Sequence, residues 1–249
     1  MVPLSVTIIA LNEADRIGDA IASVKWADEV LVVDSGSSDG TVAVARELGA
    51  RVIEADWPGY REQKNRAAAW AKHDWVFSLD SDEVVSPELA GEIQRVLELP
   101  SARGFEVPRL GHWHGAPIRH GVWRPDRSIR LFHKGHAKWA GGSVHERVQV
   151  DGHVGRLKSD LLHFPYRDVR EHLATLAEYS ALFVDDSLAA GRRASMLDVL
   201  LRPVFHLFKA MVLKAGYLDG VRGVCIAGLG AAGVMLKWGM LRLAQERSQ

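Results

Sequence analysis

Over its first hundred residues the chain alternates short apolar runs with amphipathic stretches, and this repeated switch of period admits few folds. Repeated βα units are predicted, forming a parallel sheet covered by helices. Val6–Ala10 reads as a buried strand, and after the polar loop Leu11–Asp15 a helix carries Ile17, Ile21 and Val24 on one face. Val30–Val33 is the second strand. Behind it come the small residues Asp34–Gly40 and a helix through Val42, Ala45 and Leu48 that closes at Gly49. Val52–Ala55 is the third strand, and a helix from about Tyr60 to Lys72 leads into a fourth that ends at Asp80. Ser86-Pro87-Glu88 then opens another helix, with serine as N-cap and proline in the first turn. Strand and helix are expected in strict alternation.

In such a sheet, ligands bind at the carboxyl ends of the strands. Two acidic loops are expected at that rim, one at Asp34 and one at Asp80-Ser81-Asp82. Asp-x-Asp is a short pattern and surface turns are rich in Asp and Ser, so alone it is weak. Two such loops on one rim are harder to dismiss. Paired carboxylates hold a divalent cation against a diphosphate, and the small residues around Asp34 let a ligand approach the backbone. No G-x-x-x-x-G-K-[ST] segment occurs and no G-x-G-x-x-G follows the first strand, which disfavours a P-loop ATPase and a dinucleotide dehydrogenase. Lys plus Arg and Asp plus Glu both number 31, so no net field recruits nucleic acid. Cys225 is the single cysteine, which excludes an internal disulfide and a thiolate metal cluster and points to a reducing compartment. The amino-terminal apolar run stops at Asn12-Glu13, and no secretion signal is expected there.

Taken in order, Ser5–Glu13, Val32–Thr41 and Leu79-Asp80-Ser81-Asp82-Glu83 resemble family 2 glycosyltransferases with the GT-A fold, and among them the bacterial lipopolysaccharide core β-glucosyltransferases. By order and spacing the resemblance spans roughly the whole chain and is strongest over the first hundred residues and from Gly111 to Tyr166. It implies an α/β, mostly parallel Rossmann-like sheet, and inverting transfer of a hexose such as glucose from a UDP-sugar. It also implies that Asn12, Glu13 and Asp34 line the nucleotide pocket and that Asp80 and Asp82 form the metal and diphosphate site. Related enzymes act on lipid-linked acceptors at the cytoplasmic membrane face. Ser35 is a departure, because many relatives carry a second Asp there.

The chemistry fits those residue types independently of the family. Nucleoside diphosphate departure builds negative charge that Mg²⁺ or Mn²⁺ on one or two carboxylates neutralises, with water and phosphate oxygens filling the other positions. Lys64, within Gln63-Lys64-Asn65-Arg66, is a candidate diphosphate contact or else a solvated helix lysine. The acceptor hydroxyl needs a general base. His112, His114, His120, His133, His136 and His145 lack a zinc spacing. The pair His145-Glu146, behind Ala140-Gly141-Gly142-Ser143, resembles the family's acidic acceptor-side motif, so Glu146 is assigned as base with Asp126 as the alternative. The bland reading of Glu146 is a salt bridge with Arg147 or another arginine. Arg127 and Arg130 fall on opposite faces of a predicted strand, so at most one points into a site, and Arg130 is kept as a candidate. Trp113 and Trp123 are candidates for stacking on sugar or acceptor, although large aromatics are more often packing residues.

From Leu197 the chain changes character. Leu200, Leu201, Val204, Phe205, Phe208, Met211 and Val212 follow helical spacing, punctuated by Arg202, His206, Lys209 and Lys214. An amphipathic basic helix is predicted that rests on anionic headgroups or caps the catalytic domain. Gly223–Leu236 is an uncharged run of 14 residues, shorter than the ~20 that cross a bilayer, and its Gly228, Gly230 and Gly233 suit close helix contact. The expected division is a catalytic domain over 1–195, with a nucleotide-sugar half over 1–100 and an acceptor half over 101–195, followed by a helical region over 196–249. The expected activity is metal-dependent glycosyl transfer to a membrane-borne glycolipid. A nucleotidyltransferase on a sugar phosphate and an inactive membrane-bound scaffold of the same fold are the rivals.

Overall fold

The computed structural model describes residues 2–141 and 146–247. The chain divides into two compact units, Met1–Leu110 with Asp126–His163, and Gly111–Pro125 with Phe164–Gln249. The expected boundary at residue 195 falls inside the second unit. Its helix at 169–189, assigned in the sequence to the catalytic half, packs along the carboxyl-terminal helix instead.

In the first unit the elements run β1 (Leu4–Ala10), α1 (Ile17–Ala22), β2 (Glu29–Asp34), α2 (Thr41–Glu47), β3 (Arg51–Glu54), α3 (Tyr60–Trp70), β4 (Trp75–Asp80), β5 (Glu83–Val85), α4 (Pro87–Glu98) and β6 (Gly104–Trp113). The end of β6, Gly111–Trp113, belongs to the second unit, where it pairs with β7 (Ala116–Pro117). Back in the first unit follow β8 (Arg127–His133), β9 (Ala137–Gly141), β10 (Glu146–Val150), β11 (Val154–Arg156) and β12 (Leu161–His163). The sheet order is β3-β2-β1-β4-β8-β6-β12-β5. β3, β2, β1 and β4 are parallel as predicted, whereas β8 pairs antiparallel with both β4 and β6, so the sheet is mixed.

Period-two alternation builds the core. Val6, Ile8, Phe77 and Leu79 face α1 and α4 through Ile17, Ile21, Leu89 and Ile93, all at most 1 % exposed. Leu31 and Val33 face the other way, onto Ala67 of α3. The predicted caps form: the Ser86 hydroxyl accepts from the Leu89 amide at 3.2 Å, and Gly49 closes α2 at φ +90°. β5 breaks the strict alternation. It is three residues long and begins with a charge, and its partner β12 is remote in sequence, so no local period reveals it.

Register puts the two acidic loops on one rim. Asp34 is opposite Ala10 at the end of β1, and Asp80 is opposite Ile9 on its other side. Strand order reverses between β2-β1 and β4, and a crevice opens outside the carboxyl ends of strands where order reverses.

The second unit holds α5 (Val169–Ala189), α6 (Met196–Phe208) and α7 (Gly220–Arg247), with α7 packed against both others. A Cβ on Gly230 would meet His206 Nε2 at 2.4 Å, and one on Gly233 would meet Leu176 Cδ2 at 2.7 Å, so these glycines permit the helix contacts expected of them. Gly228 meets nothing within 4 Å. One expectation needs correction. The uncharged run is only part of α7, which continues past Lys237 to 28 residues, and Gly216–Glu246 is long and apolar enough to cross a membrane. On α6 the basic residues lean toward α7: Arg202, still exposed, stacks over Trp238 at 4.2 Å, and His206 packs on Gly230.

Candidate active site

β4 ends in Asp80, and its carboxylate is held between two cations. Arg130 Nη2 lies 2.6 Å from Oδ2 and Lys64 Nζ 3.1 Å from Oδ1. Burial opposes ionisation of Asp80, but the charges of Arg130 and Lys64 outweigh it and hold its carboxyl well below the usual carboxylate range. Arg130 is 2 % exposed and also bonds Glu83 Oε1 at 2.6 Å. Burial works against its charge, yet Asp80 and Glu83 raise its pKa above the ordinary guanidinium value. Arg127 falls on the opposite, exposed side of β8, as strand geometry requires.

Glu83, wholly buried, ties this system to its supports. Its Oε2 accepts from the Asp80 amide at 3.0 Å, and Oε1 accepts from Arg109 Nη1 at 3.1 Å. Arg109 in turn pairs with Asp126, its Nη2 2.7 Å from Oδ2. Asp126, the alternative base, is therefore a partner of Arg109. The network braces the Asp80-Ser81-Asp82 turn. Glu83→Gln leaves the buried Arg130 and the partly buried Arg109 short of a counter-charge and is expected to cost about 3 kcal/mol, read from urea denaturation. An unchanged midpoint would show that the network does not stabilise the fold.

Asp82 is different. It is partly exposed, and its carboxylate has His163 Nε2 at 3.4 Å. Both Asp80 oxygens are engaged by cations, so the expected sharing of a metal between the two aspartates is not what their contacts favour. A divalent cation fits Asp82, whose hard oxygen has the imidazole of His163 beside it and whose charge also reaches Arg130 through space. Among the described residues no group of three or more His, Cys, Asp or Glu forms a closed cage.

Lys64 is the pivot. It is 7 % exposed, not a solvated helix lysine, and its ammonium reaches Asp80 on one side and Glu146 Oε1, also at 3.1 Å, on the other. The face of Trp139 lies 4.6 Å from the ammonium. Glu146 thus pairs with a lysine and not with Arg147, because neighbouring residues of β10 point to opposite faces. His145 lies outside the described residues.

The nucleotide loop is also organised, with one correction. Asn12, at φ +55°, accepts from the Ser38 amide at 2.9 Å, and the Glu13 amide donates to the Thr41 hydroxyl at 2.8 Å. Asn12 is exposed at the rim and Glu13 partly so. Asp34 is fully buried, and its Oδ2 accepts from the amides of Gly36 and Ser37 at 2.9 and 2.8 Å. It folds the loop and does not line a pocket, since the Asx turn consumes the carboxylate. Ser35 receives the Gln63 amide at 3.1 Å. Trp113 and Trp123, expected as stacking candidates, pack in the second unit with Ile118 and Ile226, and Trp113 is 6 % exposed.

Arg109, Glu83 and His163 were missed from sequence. Glu83 directly follows the acidic turn and was the one with a local signal, whereas Arg109 and His163 arrive through β6 and β12, which no local pattern brings there.

Residues 5–149 match the family model described as Glycosyl transferase family 2. An uncharacterized glycosyltransferase of Rickettsia bellii is 31 % identical over 234 residues, covering 88 % of this chain and 79 % of that protein. The lipopolysaccharide core biosynthesis glycosyltransferase LpsC of Rhizobium meliloti is 28 % identical over 249 residues, covering 92 % and 91 %. The glucosyl-3-phosphoglycerate synthase of Mycobacterium tuberculosis, solved with Mn²⁺, UDP and glucosyl-3-phosphoglycerate, is 29 % identical over 44 % of each chain, with a TM-score of 0.38. The chain belongs to glycosyl transferase family 2 and is a glycosyltransferase built on a mixed α/β sheet.

Proposed function

We propose that the protein transfers a hexose, glucose in the first instance, with inversion from a UDP-sugar to a hydroxyl of a lipid-linked glycan such as the lipopolysaccharide core. One observation carries this reading: Lys64 joins Asp80, on the donor side, to Glu146, on the acceptor side, through two contacts of 3.1 Å. Glu146 takes the proton from the acceptor hydroxyl. That oxygen attacks the anomeric carbon from the face opposite the diphosphate, the bond from that carbon to the diphosphate oxygen breaks, and nucleoside diphosphate leaves. Asp82, with His163, would hold Mg²⁺ or Mn²⁺, which when bound supplies Lewis-acid neutralisation of the leaving group. Asp80 and Lys64 orient the donor, and Asn12 and Glu13 flank the nucleotide. The lipid-linked acceptor is supported by the name of the Rhizobium relative and by the apolar helices of the second unit. Such an acceptor requires association with a membrane, on its cytoplasmic face.

The test is product analysis. With UDP-glucose, Mn²⁺ and a lipid-linked core acceptor, free UDP should appear in step with glycosylated acceptor. Chelation should lower the rate at least a hundredfold, with Mn²⁺ restoring it. Pyrophosphate released from UTP and a sugar phosphate would instead identify a nucleotidyltransferase, and turnover indifferent to chelation would remove the metal from the mechanism.

A further inference from the structure

In water a helix turns its charges outward and its apolar residues toward its neighbours. α6 instead turns an apolar stripe outward. Leu197, Leu200, Leu201, Val204, Phe205 and Phe208 are 48–66 % exposed. Arg202 is the one charged residue among those exposed on this helix, and it is drawn aside: its Nε lies 2.6 Å from Asp198 and its guanidinium covers Trp238 of α7. His206 is likewise turned onto Gly230 of α7. α5, in the same unit, also exposes Leu173, Leu182 and Leu188, but intersperses them with the exposed charges Arg170, Glu178, Asp185 and Asp186. The apolar character continues on α7, where the 18-residue window of highest hydropathy is only 28 % buried.

A contiguous apolar face of this kind is rare on proteins that stay in water. Its ends are marked by cations: Arg192 and Arg193 are exposed just before α6, and Lys209 just after it. At ~1.5 Å per residue α6 is about 20 Å long, too short to cross a hydrocarbon layer of ~30 Å. Both cationic ends can therefore sit at one headgroup level while the face between them is immersed.

We propose that α6 and the outward side of α7 form an anchor immersed in the acyl-chain layer of a bilayer, with Arg192, Arg193 and Lys209 at its anionic headgroups. The partner is thus lipid hydrocarbon, and the attachment is burial of an apolar face flanked by cations. It deepens the reading of a lipid-linked acceptor, on which it rests for its purpose.

The experiment uses the full chain and flotation with vesicles of phosphatidylcholine and phosphatidylglycerol. The protein should float with them and remain bound in 1 M salt, because burial of apolar surface is not screened. Leu201→Glu and Phe205→Glu should each reduce the bound fraction at least tenfold. A fluorophore on Phe205→Cys, in a Cys225→Ser background, should be quenched by spin labels on the acyl chains, whereas one on Glu178→Cys of α5 should not; this reading stands even where a glutamate variant fails to fold. Release by 1 M salt would overturn the proposal in favour of headgroup attraction alone. A stable dimer that does not float would overturn it in favour of a second copy covering the face. UDP binding is measured in parallel. Flotation without sugar transfer would sink the enzymatic reading and leave the anchor, while sugar transfer without flotation would do the opposite.

Discussion

Glu146→Gln lowers kcat for sugar transfer by about 10²–10⁴-fold, the range that a positioned general base contributes. Glutamine suits this test because its carbonyl oxygen still accepts from Lys64, whose ammonium lies 3.1 Å from Glu146 Oε1. The lysine stays between the two halves of the site, so the donor-side arrangement around Asp80 persists and the KM for the nucleotide sugar should change little. What is lost is the capacity to take a proton. Initial rates at saturating acceptor, with circular dichroism as a check on folding, measure the effect. Turnover at the wild-type rate would remove Glu146 from its role, and a rise in donor KM with unchanged kcat would reassign it to binding.

Asp82→Ala should lower kcat/KM by about 10²–10³-fold, the loss that follows removal of one preorganised electrostatic stabiliser of a developing anion. The same substitution should leave stability within roughly 0.5 kcal/mol, because Asp82 is partly exposed, lies 3.4 Å from His163, and acts on Arg130 only as the weaker of its counter-charges. Asp80→Ala separates the two aspartates. It takes the counter-charge from Arg130 and Lys64, both buried, and should lower stability as well as activity. Rates across a Mn²⁺ titration, paired with urea denaturation of both variants, distinguish them. If Asp82→Ala keeps full metal-dependent turnover, the metal assignment fails. If both variants lose equal stability, Asp82 is a structural residue like its neighbour.

The acidic turn was legible because a local period announced it: Trp75–Leu79 reads as a buried strand, and the residue behind such a strand stands at the rim of the sheet. Lys64 was visible only as a helix residue with an even choice between ligand and solvent. Nothing in Gln63-Lys64-Asn65-Arg66 says that Trp139 will lie against its ammonium or that Glu146 will come to meet it. Asp34 misled for a related reason. An aspartate in a loop of small residues suits a ligand or its own Asx turn equally, and only burial chooses between them. For α6 the spacing left two readings, because helical spacing shows that a helix has two faces but not which one meets its neighbours.

The sequence alone determined the parallel βα half of the sheet, the position of its acidic rim, and membership of a transferase family, because each rests on local periodicity or on short ordered motifs. Tertiary structure alone decided that Asp80 is bound by Lys64 and Arg130 while Asp82 lies beside His163, that Glu146 faces Lys64, and that the apolar side of α6 looks outward. Those outcomes depend on contacts between residues far apart in the chain, and one-dimensional spacing holds no record of which distant side chain fills a buried charge's coordination or which face of a helix is covered.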